Sequence, residues 1–190
     1  MRKLLVSASL ALALVLGACT STTVTTGFYT VSGTSGKQLD REVRRKGPLK
    51  GHAFAATEIR MTPDVEEEVL PGGCRIKRAK IKVAAHITLP KWNDRASADK
   101  DLRRGWDNLA AYAKWHEDQH VKIAETWARE MERALLGMPA EPTCSALARK
   151  AGTLVKGLAK RHNAAQLAFD AAETKRIRKI IREAERQAKS

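Results

Sequence analysis

One stretch limits the possible folds more than any other. From Asp99 to Leu136 apolar residues recur at spacings of three and four, and neither Pro nor Gly interrupts after Gly105. Leu102, Trp106, Leu109, Ala113, His116, His120, Ile123, Trp127 and Met131 fall along one side of an α-helix. A helix this long must bury that side, so the rest of the chain has to supply a partner surface. The stripe contains Trp115-His116-Glu117-Asp118-Gln119-His120, a His-Glu-x-x-His sequence. On a helix the two imidazoles stand one turn apart on the same face, near enough to share one zinc ion. Glu117 projects beside them, where it can take a proton from a metal-bound water. The plain alternative is a pair of inward histidines satisfied by hydrogen bonds, with Glu117 at the surface. The helical setting favours the metal reading.

The start of the chain reads as an export signal. Met1-Arg2-Lys3 is a basic n-region, and Leu4 to Gly17 is an apolar run too short for a membrane span. It ends in Leu16-Gly17-Ala18-Cys19, small residues before a cysteine, which resembles a bacterial lipobox. Residues 1–18 are therefore expected to be a lipoprotein signal peptide, with Cys19 the lipidated mature N-terminus and 19–27 a Thr/Ser-rich flexible tether. An ordinary secretory signal cleaved after Ala18 is the alternative. By analogy with lipoprotein sorting, Thr20 after the cysteine points to the outer membrane, so the expected location is the periplasm, anchored there. Loss of the leader removes Arg2 and Lys3 and no acid, lowering the formal net charge from +14 to +12. The remaining ~170 residues are of single-domain size. With Cys19 assigned to lipid, Cys74 and Cys144 are left as an even pair in an oxidising compartment and are expected to form a disulfide, two free thiols being the alternative.

Short elements fill the first half. Gly27 to Gly33 alternates as a strand, and Thr34 to Lys46 spaces Leu39 and Val43 for a small helix stopped by Gly47-Pro48. Thr57 to Thr62 reads as a second strand ended by Pro63, followed by an acidic turn over Asp64 to Glu68 and a tight turn at Pro71-Gly72-Gly73. Cys74 to Leu89 is a long strand, with Ile81, Val83 and Ile87 on one face and Lys80, Lys82 and His86 on the other. Past the break at Gly137 to Pro142, Thr143 is placed to N-cap a second helix carrying Leu147, Leu154, Leu158, Leu167 and Phe169. Gly152 and Gly157 are placed to let the two helices approach closely. The expected class is α+β: a small antiparallel β-sheet in the N-terminal half, with one wet basic face, packed on a long antiparallel two-helix hairpin. A zinc site needs a third protein ligand. Folding the hairpin about Pro139 brings residues near 159–163 opposite the motif, which makes His162 the geometric candidate; Asp170 and Glu173 are further oxygen donors.

Gly47-Pro48, Cys74-Arg75-Ile76, Ile87-Thr88-Leu89-Pro90-Lys91-Trp92, Trp106 and the motif helix follow one another in an order and spacing with a parallel. They resemble a bacterial domain family of unknown function described as predicted secreted zinc-dependent proteases. The likeness covers roughly residues 27–175. It implies a zincin-like metallopeptidase domain, bounded at 28–174, with zinc as cofactor. The family pattern also implies an aromatic-Asp pair followed by Thr and His. Phe169-Asp170 matches the pair, while Lys175 or Arg176 stands near the place of the later His.

Residues 175–190 form a basic helical tail, suited to contact with anionic lipid or cell-wall polymers or else simply solvated. Nucleic acid is not expected as a partner: basic residues are not interleaved with aromatics, and no zinc-knuckle spacing occurs. The function expected from these features is an exported, lipid-anchored zinc metallopeptidase. It would act on a peptide or protein substrate with Glu117 as general base, and with Tyr112 or His86 as weak candidates for an oxyanion donor. The alternative is a non-catalytic envelope lipoprotein with a structural or degenerate metal site that binds anionic cell-wall or membrane components.

Overall fold

Alternation of period two builds a three-stranded sheet from β1 (Thr22–Val31), β2 (Ala56–Leu70) and β3 (Gly73–Trp92), in the order β1-β3-β2. The computed structural model describes residues 21–187, so the expected signal peptide and the lipidation at Cys19 lie outside the described residues. β3 is central because its inward positions are apolar without a break. Ala79, Ile81, Val83, Ala85 and Ile87 are all buried, and full burial of each isoleucine contributes about 1.5–3 kcal/mol.

Four expectations about the first half need correcting. The sheet is mixed: β2 pairs antiparallel with β3 through the turn at Gly72, but β1 runs parallel to β3. The threonine run expected to be a tether belongs to β1 from Thr22 onward, because β-branched threonines suit a strand as well as a linker. β2 does not stop at Pro63 but continues to Leu70. It is an edge strand, where proline is tolerated, and its acids face the cations of β3. Lys82 pairs with Asp64 at 3.0 Å, Arg78 with Glu66 at 3.2 Å and Arg75 with Glu68 at 2.6 Å. The outer face is therefore a ladder of opposite charges rather than a uniformly basic surface.

Helix α1 (Gly36–Lys46) starts with a capping box between Ser35 and Gln38. It leads into the one-turn segment α2 (Pro48–Gly51), where Leu49 and Lys50 take left-handed φ of 51° and 59°. Gly51 follows with φ +81°, and a Cβ there would meet the Arg44 carbonyl at 1.8 Å, so only glycine fits.

Two long helices complete the fold: α3 (Lys100–Leu136), N-capped by Asp99, and α4 (Cys144–Gln187). Thr143 Oγ1 accepts from Ala146 N at 3.1 Å, the capping role expected of it. α4 runs unbroken into the segment expected to be a tail. Ala124, Ala128, Met131 and Leu135 of α3 pack on Ile81 and Val83, with Leu147 and Leu158 of α4 closing the cluster. A second cluster joins Val31, Leu39, Trp92 and Trp106, and Trp92 Nε1 donates to Gly33 O at 2.8 Å. Gly152 and Gly157 do not mediate helix contact: both are exposed, with open space where a Cβ would sit. The Cys74–Cys144 disulfide is formed and joins β3 to the first residue of α4. Beside it Glu141 pairs with Cys74 through backbone bonds of 2.7 and 2.9 Å.

Beside the first described residues of β1, one N–H of the central strand lies outside that strand's register. Val83 N donates to Ser21 O at 2.8 Å, but Ile81 N, next along the same side, has no strand beside it among the described residues. Buried Glu132 of α3 reaches in, and its Oε1 accepts from Ile81 N at 2.8 Å.

Candidate metal centre

α3 has two packed sides. Its sheet-facing ridge runs through Ala113, Glu117, Val121, Ala124, Ala128 and Met131, so Glu117 rather than the histidines is turned to the sheet. His116 and His120 lie on the flank facing α4, with side chains 20% and 13% exposed. The apolar stripe read from the sequence merged these two sides into one.

α4 returns antiparallel and brings Asp170 to His116 and Gln166 to His120. The hairpin folds about Thr143, not Pro139. The connection first detours to pair Glu141 with Cys74, and α4 begins only at the disulfide. Of the three candidate donors, this shift brings Asp170 rather than His162 to the histidine pair. Asp170 Oδ1 lies 3.2 Å from His116 Nε2 and 3.1 Å from His120 Nε2, while the two Nε2 atoms are 3.2 Å apart. His162 sits one layer behind, and Glu173 is engaged elsewhere.

The second layer fixes how these groups present themselves. His120 Nδ1 donates to Gln166 Oε1 at 2.6 Å. The Gln166 amide donates to His162 Nε2 at 2.8 Å and to His120 O at 3.1 Å, using all its capacity but one lone pair. Burial pushes the His162 pKa down, which keeps it the neutral acceptor that Gln166 requires. His120 is thereby held with its proton on Nδ1 and a bare Nε2. That lone pair faces a carboxylate oxygen, acceptor against acceptor. A second proton or a metal cation between them turns the contact favourable. A zinc tetrahedron with bonds of about 2.0 Å has edges of about 3.3 Å, so the three donors fit such an ion. His116 Nδ1 is buried without a partner among the described residues, so there only one of the two imidazoles is braced from behind.

Glu117 accepts from Thr57 Oγ1 through Oε2 at 2.7 Å, tying α3 to the start of β2. It stands in the wall of an open cleft of about 720 Å³ together with His116, His120 and Asp170, across from Ala56–Ile59 and the strained turn at Pro48 and Leu49. His86 is removed from this cleft: it lies on the sheet's outer face, with Nδ1 2.9 Å from Thr25 Oγ1. Thr57 and Gln166 were not singled out by sequence reasoning. Gln166 carried a readable signal, since His162, Gln166 and Asp170 form a spacing-of-four ladder along one side of α4.

The histidine pair, Glu117, Asp170, Thr57 and Gln166 fall within a match, over residues 26–176, to the family of bacterial proteins of unknown function DUF922. The chain belongs to the DUF922 family. No curated protein and no solved structure matches it.

In this DUF922 chain the site is bordered by an aromatic and charged latch. Tyr112 donates to Glu173 Oε2 at 2.8 Å, and Arg176 donates to both oxygens of Glu173 at 2.9 and 2.7 Å. The Arg176 hydrogen bonds, helped by Tyr112, hold the Glu173 carboxyl down to about 2. Its stabilising contribution is complete above the ordinary value of 4.5 and is lost as pH falls toward about 2. The outer end of the hairpin is therefore expected to loosen in that window. Trp115 emission reports it, because the Arg176 guanidinium lies 5.9 Å from its ring; Glu173→Gln should abolish the transition.

Proposed function

We propose that this DUF922 chain is a zinc-dependent metallopeptidase, exported and held at a membrane through lipidated Cys19. The observation that carries the reading is the convergence of His116 Nε2, His120 Nε2 and Asp170 Oδ1 within 3.1–3.2 Å of one another beside Glu117. Asp170 would serve as the third donor that the motif needs. The disulfide supports an oxidising compartment.

His116, His120 and Asp170 would hold the ion. Zinc bound there supplies a Lewis acid and lowers the pKa of water toward neutrality. The rest is the work of this chain's own groups. Thr57 holds one oxygen of Glu117, leaving the other to receive the proton of the attacking water and pass it to the leaving amine. Gln166, locked by His162, keeps His120 in the ligating tautomer. β2 has no strand on its second side among the described residues, and its first residues line the cleft. An extended substrate can add there by main-chain hydrogen bonds.

The test is metal content and chelator-sensitive cleavage of peptides. The mature chain is expected to bind about one zinc, to lose activity with a chelator and to regain it on zinc return. Asp170→Ala should weaken zinc binding by about tenfold or more, and His162→Ala should weaken it less. Zinc bound with no peptide, protein or amide cut would instead establish the non-catalytic reading.

A further inference from the structure

At the far end of α3 from the cleft lies a second pocket, of about 390 Å³. Lys77, Arg78 and Lys80 of β3 and Arg129 and Arg133 of α3 line it. Its acid is Glu132, which is buried with Oε1 committed to the Ile81 N–H. Lys77, Arg78 and Arg133 have carboxylate partners outside the pocket, but among the described residues Lys80 and Arg129 have none. Leu136 stands at the rim, 50% exposed, an apolar side chain surrounded by cations. That combination suits the boundary between headgroups and acyl chains.

The position of the pocket selects its partner. The first described residue is Ser21, whose carbonyl accepts from Val83 N, two residues along β3 from the Ile81 N–H that Glu132 takes. Cys19 precedes Ser21 by two residues, at most about 7 Å of chain. Since the expected tether is strand from Thr22 onward, a lipid on Cys19 would be joined to this edge of the sheet by that short length of chain alone.

We propose that the basic pocket at the open edge of β3 binds anionic phospholipid headgroups and seats the domain directly on the membrane that carries its anchor. This rests on the reading of Cys19 as lipidated, and is independent of the peptidase chemistry. The cleft is then held clear of the bilayer, since His116 lies sixteen residues from Glu132 along α3, about 24 Å.

The probe is a set of vesicles, of phosphatidylcholine alone or with about 30% phosphatidylglycerol, sedimented with a chain beginning at Thr20. That chain retains every strand, helix and core cluster described. Binding is expected to the anionic vesicles only and to vanish at high salt. Lys80→Glu with Arg129→Glu should weaken it by about tenfold or more, and the Lys80→Gln/Arg129→Gln pair by less. Arg178→Glu with Arg182→Glu, an equal charge change at the end of α4, should leave it within about twofold. Equal binding to neutral vesicles, a loss as large from the α4 pair, or competition by free glycerol phosphate at matched concentration would each overturn the proposal. Mass spectrometry of the mature N-terminus reads the anchor separately: an unmodified Cys19 overturns the seating, whereas failed peptide cleavage touches only the peptidase reading.

Discussion

Glu117→Gln is expected to lower peptide hydrolysis by about 10²–10⁴-fold while leaving zinc content unchanged. The amide keeps the shape of the side chain, and its oxygen can still accept from Thr57 Oγ1, so the link between α3 and β2 survives. The change also replaces a group turned to the sheet and 5% exposed by a neutral one, which removes any desolvation cost rather than adding one. What the amide cannot do is take a proton from water. Metal analysis and kcat/KM on one peptide separate the cases. Full activity would place the base elsewhere. Loss of zinc together with activity would mean that Glu117 holds the site together rather than acting in it.

Replacing both Cys74 and Cys144 by alanine is expected to cost about 4 kcal/mol, seen as a lower denaturation midpoint that reductant no longer shifts. The bridge closes a loop with a sequence separation of 70, and chain-entropy arguments assign such a loop a large stabilisation. A second effect should accompany the first. The bridge and the neighbouring Glu141–Cys74 pairing set where α4 begins, and that start decides which residues of α4 stand opposite His116 and His120. The doubly substituted chain should therefore bind zinc more weakly even where it is still folded. Unchanged zinc affinity at an unchanged midpoint would show that the apolar contacts of α4 set the register alone.

The elements with long, single-period signals were legible from the chain. β3 alternates over its whole length, α3 repeats at three and four for ten turns, and Cys74 with Cys144 is the natural pairing once Cys19 is set aside. The motif histidines and the class of fold followed from these. Less legible were features decided by contacts distant in sequence. Whether His162 or Asp170 meets the motif depends on a hairpin centre shifted by the pairing of Glu141 with Cys74, and no local pattern carries that information. Thr22 to Thr26 has a composition that serves a linker or a strand equally, and pairing with Val83 to Ile87 decides between them. On α3, one apolar stripe was read where two partners, sheet and helix, each claim a side; for that reason Glu117 was placed at the margin instead of in the interior.

The carboxylate of Glu132 has a consequence beyond filling one hydrogen bond. Beyond the register of the described part of β1, the buried positions Ile76, Ala79 and Ile81 of β3 would otherwise lie beside a bare amide at Ile81, the kind of edge on which a foreign strand can pair. An acid lodged at that amide, ringed by lysines and arginines, denies an incoming strand both its donor and a dry approach. The fold thus guards this edge of the sheet against misassembly.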